Sequence, residues 1–410
     1  MKVLMLSWEF PPYLVGGLGK HVIELVPQLI AHGVEVHLVV PRLAGGEQSE
    51  PLTLPDGTPA TNGSRVHRVD VSGVQANFFT NTWHDNILLQ EYCGALLRRE
   101  NSFDLIHNHD WLSGFAATAV KHWHHLPLLA TVHATEMGRN LGQLHNEMQR
   151  QIHQAEWWLT YEAWRLITTS RYMLWELSTY FELPASKIDI IPNGVDPGNF
   201  DALRGADLSQ FRLAYAMPGQ PIVYYVGRIV PEKGLAVLVD AVPRVLSEWP
   251  GVRFVIAGGG DYANELREQA VRLGVSANVL LPGRISDDVR DKLYMVADCA
   301  AFPSLYEPFG IVALEAMAAR CPVVVSDVGG LAEVVEHEVT GIKVQPDDPV
   351  SLAEGILYTL KNPKASAKRV QNAERVVRKQ YNWHHIARMT VDVYRKVVKE
   401  AKAGDWAYRT

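Results

Sequence analysis

The residues best placed to do chemistry lie in the stretch Pro303–Glu315, which reads Pro-Ser-Leu-Tyr-Glu-Pro-Phe-Gly-Ile-Val-Ala-Leu-Glu. It follows the apolar run Cys299–Phe302 and passes through a proline-rich turn into a helical pattern. A strand, a tight loop and a helix start in that order make an anion site, because the first helical N–H groups have no intrahelical acceptor. Glu307 on the loop and Glu315 about two turns into the helix frame it. We read this loop as the holder of a nucleotide-sugar. An ordinary buried strand–turn–helix with two incidental glutamates fits the same residues. Arg228 and Lys233 share another strand-to-helix loop, within reach of one anion. Arginine can grip a phosphate bidentately and lysine acts as a point charge. They read as a diphosphate clamp or as a solvated surface pair. His109, Asp110 and His133 stand at the carboxyl ends of predicted parallel strands, where open α/β sheets bind ligands. His122, His124, His125, His384 and His385 read as surface or packing residues. His107-x-His109 with Asp110 also admits a zinc or iron reading. It requires the strand to persist through His109, and we expect no metal.

These residues need strands and helices to hold them. Lys2–Ser7 reads as a buried parallel strand, Lys20–Ala31 as a helix with one apolar stripe, and Val34–Val40 as a second strand. Between the first two lies Gly16-Gly17-Leu18-Gly19, a turn that lets backbone approach a ligand. It satisfies neither the dinucleotide fingerprint nor the P-loop. Residues 41–65 read as a long surface excursion. Strands follow at Val66–Val71, Asp104–Asn108, Leu128–Val132, Leu166–Thr169 and Ile188–Ile191. Helices are predicted at Asn86–Arg99, Leu112–His122 and Arg171–Phe181. Trp157, Trp158, Tyr161 and Trp164 cluster in a segment read as a helix packing under the sheet, with a carbohydrate-stacking surface as the second reading. Pro192-Asn193-Gly194-Val195-Asp196 leaves the first sheet, and Pro197–Asp207 reads as a linker.

A second α/β pattern begins at Pro221–Val226. Gly258-Gly259-Gly260-Asp261-Tyr262-Ala263 matches the dinucleotide fingerprint locally. The next strand, Val279-Leu280-Leu281, ends in Pro282-Gly283-Arg284 without the required acidic residue, so no nicotinamide or flavin is expected. A further Gly-Gly turn, Gly329-Gly330, follows the strand Pro322–Ser326. Helical patterns then run at 350–360, 365–379 and 384–402.

The chain has 410 residues, a length for two or three domains. Its net charge of −6 argues against a protein built to coat nucleic acid or anionic membrane. Cys93, Cys299 and Cys321 form no C-x-x-C pair, which fits a reducing cytoplasm. The N-terminus meets Trp8-Glu9 and two prolines too soon for a signal peptide. No apolar run approaches the roughly 18 residues of a membrane span.

Taken together, these motifs resemble the retaining glycosyltransferases of family 4 and the related bacterial glycogen and starch synthases. The resemblance rests on Gly16–Gly19, His109-Asp110-Trp111, Thr131-Val132-His133, Pro192–Asp196, Gly227-Arg228 with Lys233-Gly234, and Glu307–Gly310 with Glu315. It covers nearly the whole length. It implies an α/β chain of the GT-B class: two Rossmann-like doubly wound domains facing across a cleft, with the last helix crossing back to the first domain. The domains would be 1–196 on the acceptor side and 197–382 for the nucleotide-sugar, with 383–410 as the returning helix and tail.

The resemblance also implies roles. Arg228 and Lys233 would bind the donor diphosphate and steady the leaving group. Glu315 would hold the ribose hydroxyls, and Glu307 would lie against the transferred sugar. The amides of Phe309, Gly310 and Ile311 would contact sugar hydroxyls. Gly16 and Gly17 would present backbone to the phosphate or sugar. Arg284, Gly330 and Leu331 would complete the donor site. His133 would contact the sugar near the reacting centre, with Asp110 at the sugar or acceptor side. The expected substrates are ADP-glucose or UDP-glucose and a carbohydrate acceptor: an α-glucan, a maltooligosaccharide or a glucose phosphate. No cofactor is expected. The chain contains no D-x-D, the usual mark of transferases that use a divalent ion.

One position departs from the pattern. Glycogen synthases usually carry K-x-G-G-L, and here the lysine position is Leu14. That leaves other acceptors open. A GT-B epimerase or phosphorylase, or a sugar-nucleotide-binding regulator, also remains open, although the lysine context of a pyridoxal-phosphate phosphorylase is missing.

Overall fold

A computed structural model describes residues 1–72, 77–100 and 102–404. The outer tail, beyond residue 404, lies outside the described residues. The chain forms two compact units, one of residues 1–193 together with the segment from Trp383 onward, the other of residues 194–382.

The first unit holds β1 (Lys2–Leu6), β2 (Glu35–Pro41), β3 (Ser49–Pro51), β4 (Arg65–Val69), β5 (Leu105–His109), β6 (Leu128–Val132), β7 (Arg165–Thr168) and β8 (Ile188–Ile190). Their spatial order is β3-β4-β2-β1-β5-β6-β7-β8. All pairings are parallel except β3 with β4. Alternation along the strands feeds two cores, as a strand must when helices cover both faces. Val3 and Met5 pack with Val22, Leu25, Ile386 and Tyr394. Leu4 and Leu6 pack on the other face with Leu89, Val120 and Met173. The helix Trp383–Ala403 is amphipathic and fills the first of these cores with Trp383, Ile386, Tyr394 and Val397.

The second unit holds β9 (Ile222–Val226), β10 (Arg253–Ala257), β11 (Val279–Gly283), β12 (Cys299–Phe302), β13 (Val323–Ser326) and β14 (Ile342–Val344). The order is β11-β10-β9-β12-β13-β14, parallel throughout. In each sheet the strand order reverses once, between β1 and β5 and between β9 and β12. Loops diverge at such a switch point and leave a crevice at the carboxyl ends of the strands.

Several boundaries differ from expectation for local reasons. The first helix starts at Gly17, not Lys20, so the glycine turn is itself the helix start. The helix expected from Asn86 starts at Phe78, because the Asn77 side chain accepts the Thr80 N–H and caps it. The expected surface excursion at 41–65 contains the short strand β3. The expected linker contains a helix, Gly198–Leu203, whose Phe200 is buried in the second unit's core beside Val195. Periodicity misses it because one anchor suffices for so short a helix. The aromatic segment divides. The helix Glu147–Glu162 buries Ile152, Ala155 and Leu159, while Trp157 and Tyr161 stand exposed and stack on each other.

Candidate active site

In the second unit, the loops after β9 and β12 are one assembly. Pro231–Lys233 forms a single 3-10 turn, and Gly234 then adopts a φ of 64°. A Cβ on Gly234 would stand 2.0 Å from the Pro303 carbonyl oxygen, so only glycine lets the two loops meet. The Glu232 carbonyl accepts the N–H groups of Leu305 (2.9 Å) and Tyr306 (3.2 Å). This docking brings Lys233 Nζ to 2.8 Å from Glu307 Oε2, with both side chains mostly buried. Ser304 Oγ donates to the same carboxylate oxygen at 3.3 Å. Arg228 on the same loop is more exposed, its guanidinium 3.3 Å from Glu232 Oε1.

Gly310 caps the helix Ile311–Ala318, so the backbone after Glu307 runs into a helix N-terminus. Glu315, on that helix, is buried and accepts from the Tyr294 hydroxyl at 3.3 Å. Phe309 is also buried, and its ring stands edge-on to Tyr381 at 6.1 Å. Gly330 packs directly under the loop. A Cβ there would lie 2.3 Å from Phe309 Cα, and its N–H donates to the Glu307 carbonyl at 2.8 Å. That N–H is therefore committed to the loop and is not free for a ligand, and Leu331 is wholly buried. Arg284, exposed, lies across Gly259, where an added Cβ would meet its Nε at 2.7 Å.

In the first unit the switch-point loops after β1 and β5 lie with the loop after β6. Glu9 was not singled out from sequence, yet its buried carboxylate organises the glycine turn. Glu9 Oε2 accepts the N–H groups of Val15 (2.9 Å) and Gly16 (3.0 Å). The Gly16 N–H is therefore occupied, whereas Gly17, at the first helical position, has no intrahelical acceptor for its own. Asp110 has φ 57° and ψ 179°, a region nearly reserved for glycine. Three hydrogen bonds hold it there. Its N–H donates to the Thr131 carbonyl (2.9 Å), its carbonyl accepts from Asn108 Nδ2 (2.6 Å), and its Oδ1 accepts the His133 N–H (2.7 Å). Burial pushes the Asp110 carboxyl up to about 6, against the opposing pull of the Arg139 cation and the His133 N–H.

β5 does persist through His109, so His107 and His109 share a side, their rings 4.3 Å apart. The pairing expected for a His107–His109–Asp110 metal site is nevertheless not formed. His107 spends both nitrogens, Nδ1 at 2.7 Å from the Tyr394 hydroxyl and Nε2 at 2.8 Å from Thr131 Oγ1. His109 instead meets His133, Nδ1 to Nε2 at 3.2 Å, and His21 joins them with its ring 4.6 Å from that of His133. His21 and Asn193 were missed as site residues. The available signal was spacing, since His21 sits four residues after Gly17 and so shares its helical face. Burial drives the His133 imidazole down to about 3, with the Arg139 cation adding to it.

Residues 15–199 match Glycosyltransferase Family 4, and residues 214–376 match Glycosyl transferases group 1. An uncharacterized glycosyltransferase of Methanocaldococcus jannaschii is 36% identical over 397 residues, covering 96% of this chain and 98% of the relative. The chain belongs to glycosyltransferase family 4. A glycogen synthase of Mycobacterium tuberculosis is 33% identical, covering 96% of this chain and 94% of the relative. Among solved structures, sucrose-phosphate synthase from Thermosynechococcus elongatus aligns with a TM-score of 0.81 at 24% identity, over 97% of this chain and 99% of that one. The fold is thus GT-B, two parallel α/β units with a long terminal helix packed on the first. As a family 4 member, the transferase is a retaining hexosyltransferase that takes its sugar from a nucleoside diphosphate. Among the described residues, no helix is long and apolar enough to cross a membrane.

Proposed function

We propose that this transferase moves a glucosyl unit from ADP-glucose or UDP-glucose to an α-glucan, a maltooligosaccharide or a glucose phosphate, without a metal ion. The observation that carries the reading is the Lys233–Glu307 pair at the switch point of the second sheet. It joins a cation suited to a departing diphosphate and a carboxylate suited to sugar hydroxyls on two interlocked loops. Breaking the glycosyl–phosphate bond leaves negative charge on the diphosphate, and fixed cations lower that barrier without reorganisation. Lys233, Arg228 and the helix start after Gly310 supply such charge. Glu315, buried and fixed by Tyr294, serves as acceptor for the ribose hydroxyls. Glu307 and the amides of Phe309, Gly310 and Ile311 hold the sugar, and Arg284 borders the donor. In the first unit, neutral His133 is suited to a sugar hydroxyl, Gly17 offers its N–H, and Asp110 sits on the sugar or acceptor side.

The likeness to a glycogen synthase over nearly the full chain supports glucose as the sugar and a glucan as acceptor. Leu14 in place of the usual lysine favours a second reading, the same donor with a different sugar acceptor. The three cysteines are buried and free, which supports a reducing cytoplasm as the setting. The deciding experiment offers ADP-, UDP- and GDP-glucose in excess chelator and reads released nucleotide with maltooligosaccharide, with glucose phosphate and with neither. Release with ADP- or UDP-glucose that depends on one of these acceptors is expected. Turnover only with GDP-sugars, or only after a divalent ion is restored, would overturn the proposal.

A further inference from the structure

The mechanism above uses His133 and leaves its two buried neighbours without a task. His21 Nδ1 lies 2.6 Å from Asn193 Oδ1, an acceptor, so that nitrogen carries the proton and Nε2 presents a lone pair. His109 Nδ1 contacts His133 Nε2. The Nε2 atoms of His21 and His109 are buried and have no hydrogen-bond partner among the described residues. An unpartnered buried polar nitrogen is costly. Two such nitrogens belong to one cluster of rings, with the His21 centroid 5.3 Å from that of His109 and 4.6 Å from that of His133. One ring nitrogen of each of His21, His109 and His133 lies within 4.8 Å of the other two. His21 and His109 are sealed, while His133 keeps part of its surface open and provides the way in.

All three imidazoles stay neutral in this setting, chiefly through burial. A neutral imidazole whose other nitrogen donates to a fixed acceptor is the usual state of a metal-ligating histidine. Three nitrogen donors suit zinc, cobalt or nickel, whereas magnesium and calcium prefer oxygen. Nitrogens around a tetrahedral zinc stand roughly 3.3 Å apart, given Zn–N bonds of about 2.0 Å. His109 Nδ1 and His133 Nε2 already stand 3.2 Å apart, and to ligate, His133 must give up that bond or use its other nitrogen.

We propose that His21, His109 and His133 form a three-histidine site for a divalent ion of the zinc class, and that the ion blocks sugar transfer by occupying His133. The binding half stands on the geometry alone, and the blocking half rests on the reading of His133 as a sugar contact.

The test uses the full chain without a histidine tag, stripped with chelator and titrated with Co²⁺. Visible d–d absorption reports ligation, and equilibrium dialysis reports stoichiometry. One ion per chain is expected, bound at least about tenfold more weakly by His21→Asn and by His109→Gln, and unaffected by excess Mg²⁺. His384→Asn, at an exposed position, should bind as the parent does. Circular dichroism checks each fold, and His21→Asn alone decides if His109→Gln does not fold. Absence of saturable uptake, or uptake that survives His21→Asn, overturns the site. Zn²⁺ at saturation should suppress nucleotide release reversibly. Saturable binding with undiminished release overturns the blocking half and the sugar-side role of His133, and leaves the Lys233–Glu307 donor reading intact.

Discussion

Lys233 and Glu307, separated by β10, β11 and β12 in the chain, form an ion pair of 2.8 Å, and each side chain is more than four-fifths buried. Removing either partner leaves the other charge in a site shaped for a pair, which costs more than the pair itself contributes. Lys233→Ala and Glu307→Ala should each lower turnover at least about tenfold, or roughly 1.4 kcal/mol. The double variant should lose clearly less than the product of the two. A double-mutant cycle on kcat/KM measures this, with a coupling of about 1 kcal/mol or more expected. Independent effects would show that the two groups serve separate steps.

Arg228 offers the contrasting case. Its side chain is 44% exposed and its guanidinium stands 3.3 Å from Glu232 Oε1, so the pair adds little to stability. Arg228→Ala should therefore leave the melting transition close to that of the parent while turnover falls at least about tenfold. Arg228→Lys should recover only part, because a lysine cannot grip a phosphate bidentately. Unchanged turnover would remove Arg228 from the diphosphate clamp.

Glu315 should act on binding more than on chemistry. Glu315→Gln keeps the volume and removes the charge that a ribose hydroxyl pair would meet. A rise of about tenfold in donor KM with kcat held within about threefold is the expected split, the mark of uniform binding. Tyr294→Phe, which removes the hydroxyl 3.3 Å from that carboxylate, should shift KM the same way and less far. A fall in kcat at unchanged KM would assign Glu315 to the transition state instead.

The first unit should be sensitive to acid. His21, His67 and His133 are held down to about 3, and His107 and His109 lie well below their ordinary value, burial being the largest cause in each. Each binds a proton more readily when unfolded. Their contribution is thus full above about pH 6.5 and is lost as pH falls, by up to about 1.4 kcal/mol per histidine per unit. Asp110, raised to about 6, and Glu156, raised well above its ordinary value, hold protons in the folded chain and oppose this trend. The five histidines outweigh these carboxyls and Asp85, also raised by burial, so stability should drop between pH 7 and pH 5.5. Thermal melts across that range check the sign, and His67→Asn should flatten the slope. A melting temperature that rises on acidification would contradict the burial of these rings.

The strands were legible because buried parallel strands are short apolar runs bounded by turns, and β1, β6 and β9 fall where those runs stand. The switch-point loops were legible because glycine, proline and charged residues interrupt them. Asp110 was visible as a residue and invisible as a conformation. Its positive φ depends on bonds to Thr131, Asn108 and His133, two of them from another strand or loop. Glu9 and Asn193 escaped because their partners are backbone or a side chain far along the chain. Gly330 was legible as a turn, but its commitment to the Glu307 carbonyl needs a tertiary approach that spacing does not encode. The Gly198–Leu203 helix was too short to show a period.

The bond between the Tyr394 hydroxyl and His107 ties β5 to the helix Trp383–Ala403. Residues 1–193 are made before the second unit, yet their sheet lacks Trp383, Ile386, Tyr394 and Val397 on one face until the second unit has been made as well. The second unit is continuous and suffers no such delay. Of the two units, the one that is synthesised earlier is thus the one that completes its core later, and a ribosome stalled before residue 383 holds an open apolar face that the missing helix covers.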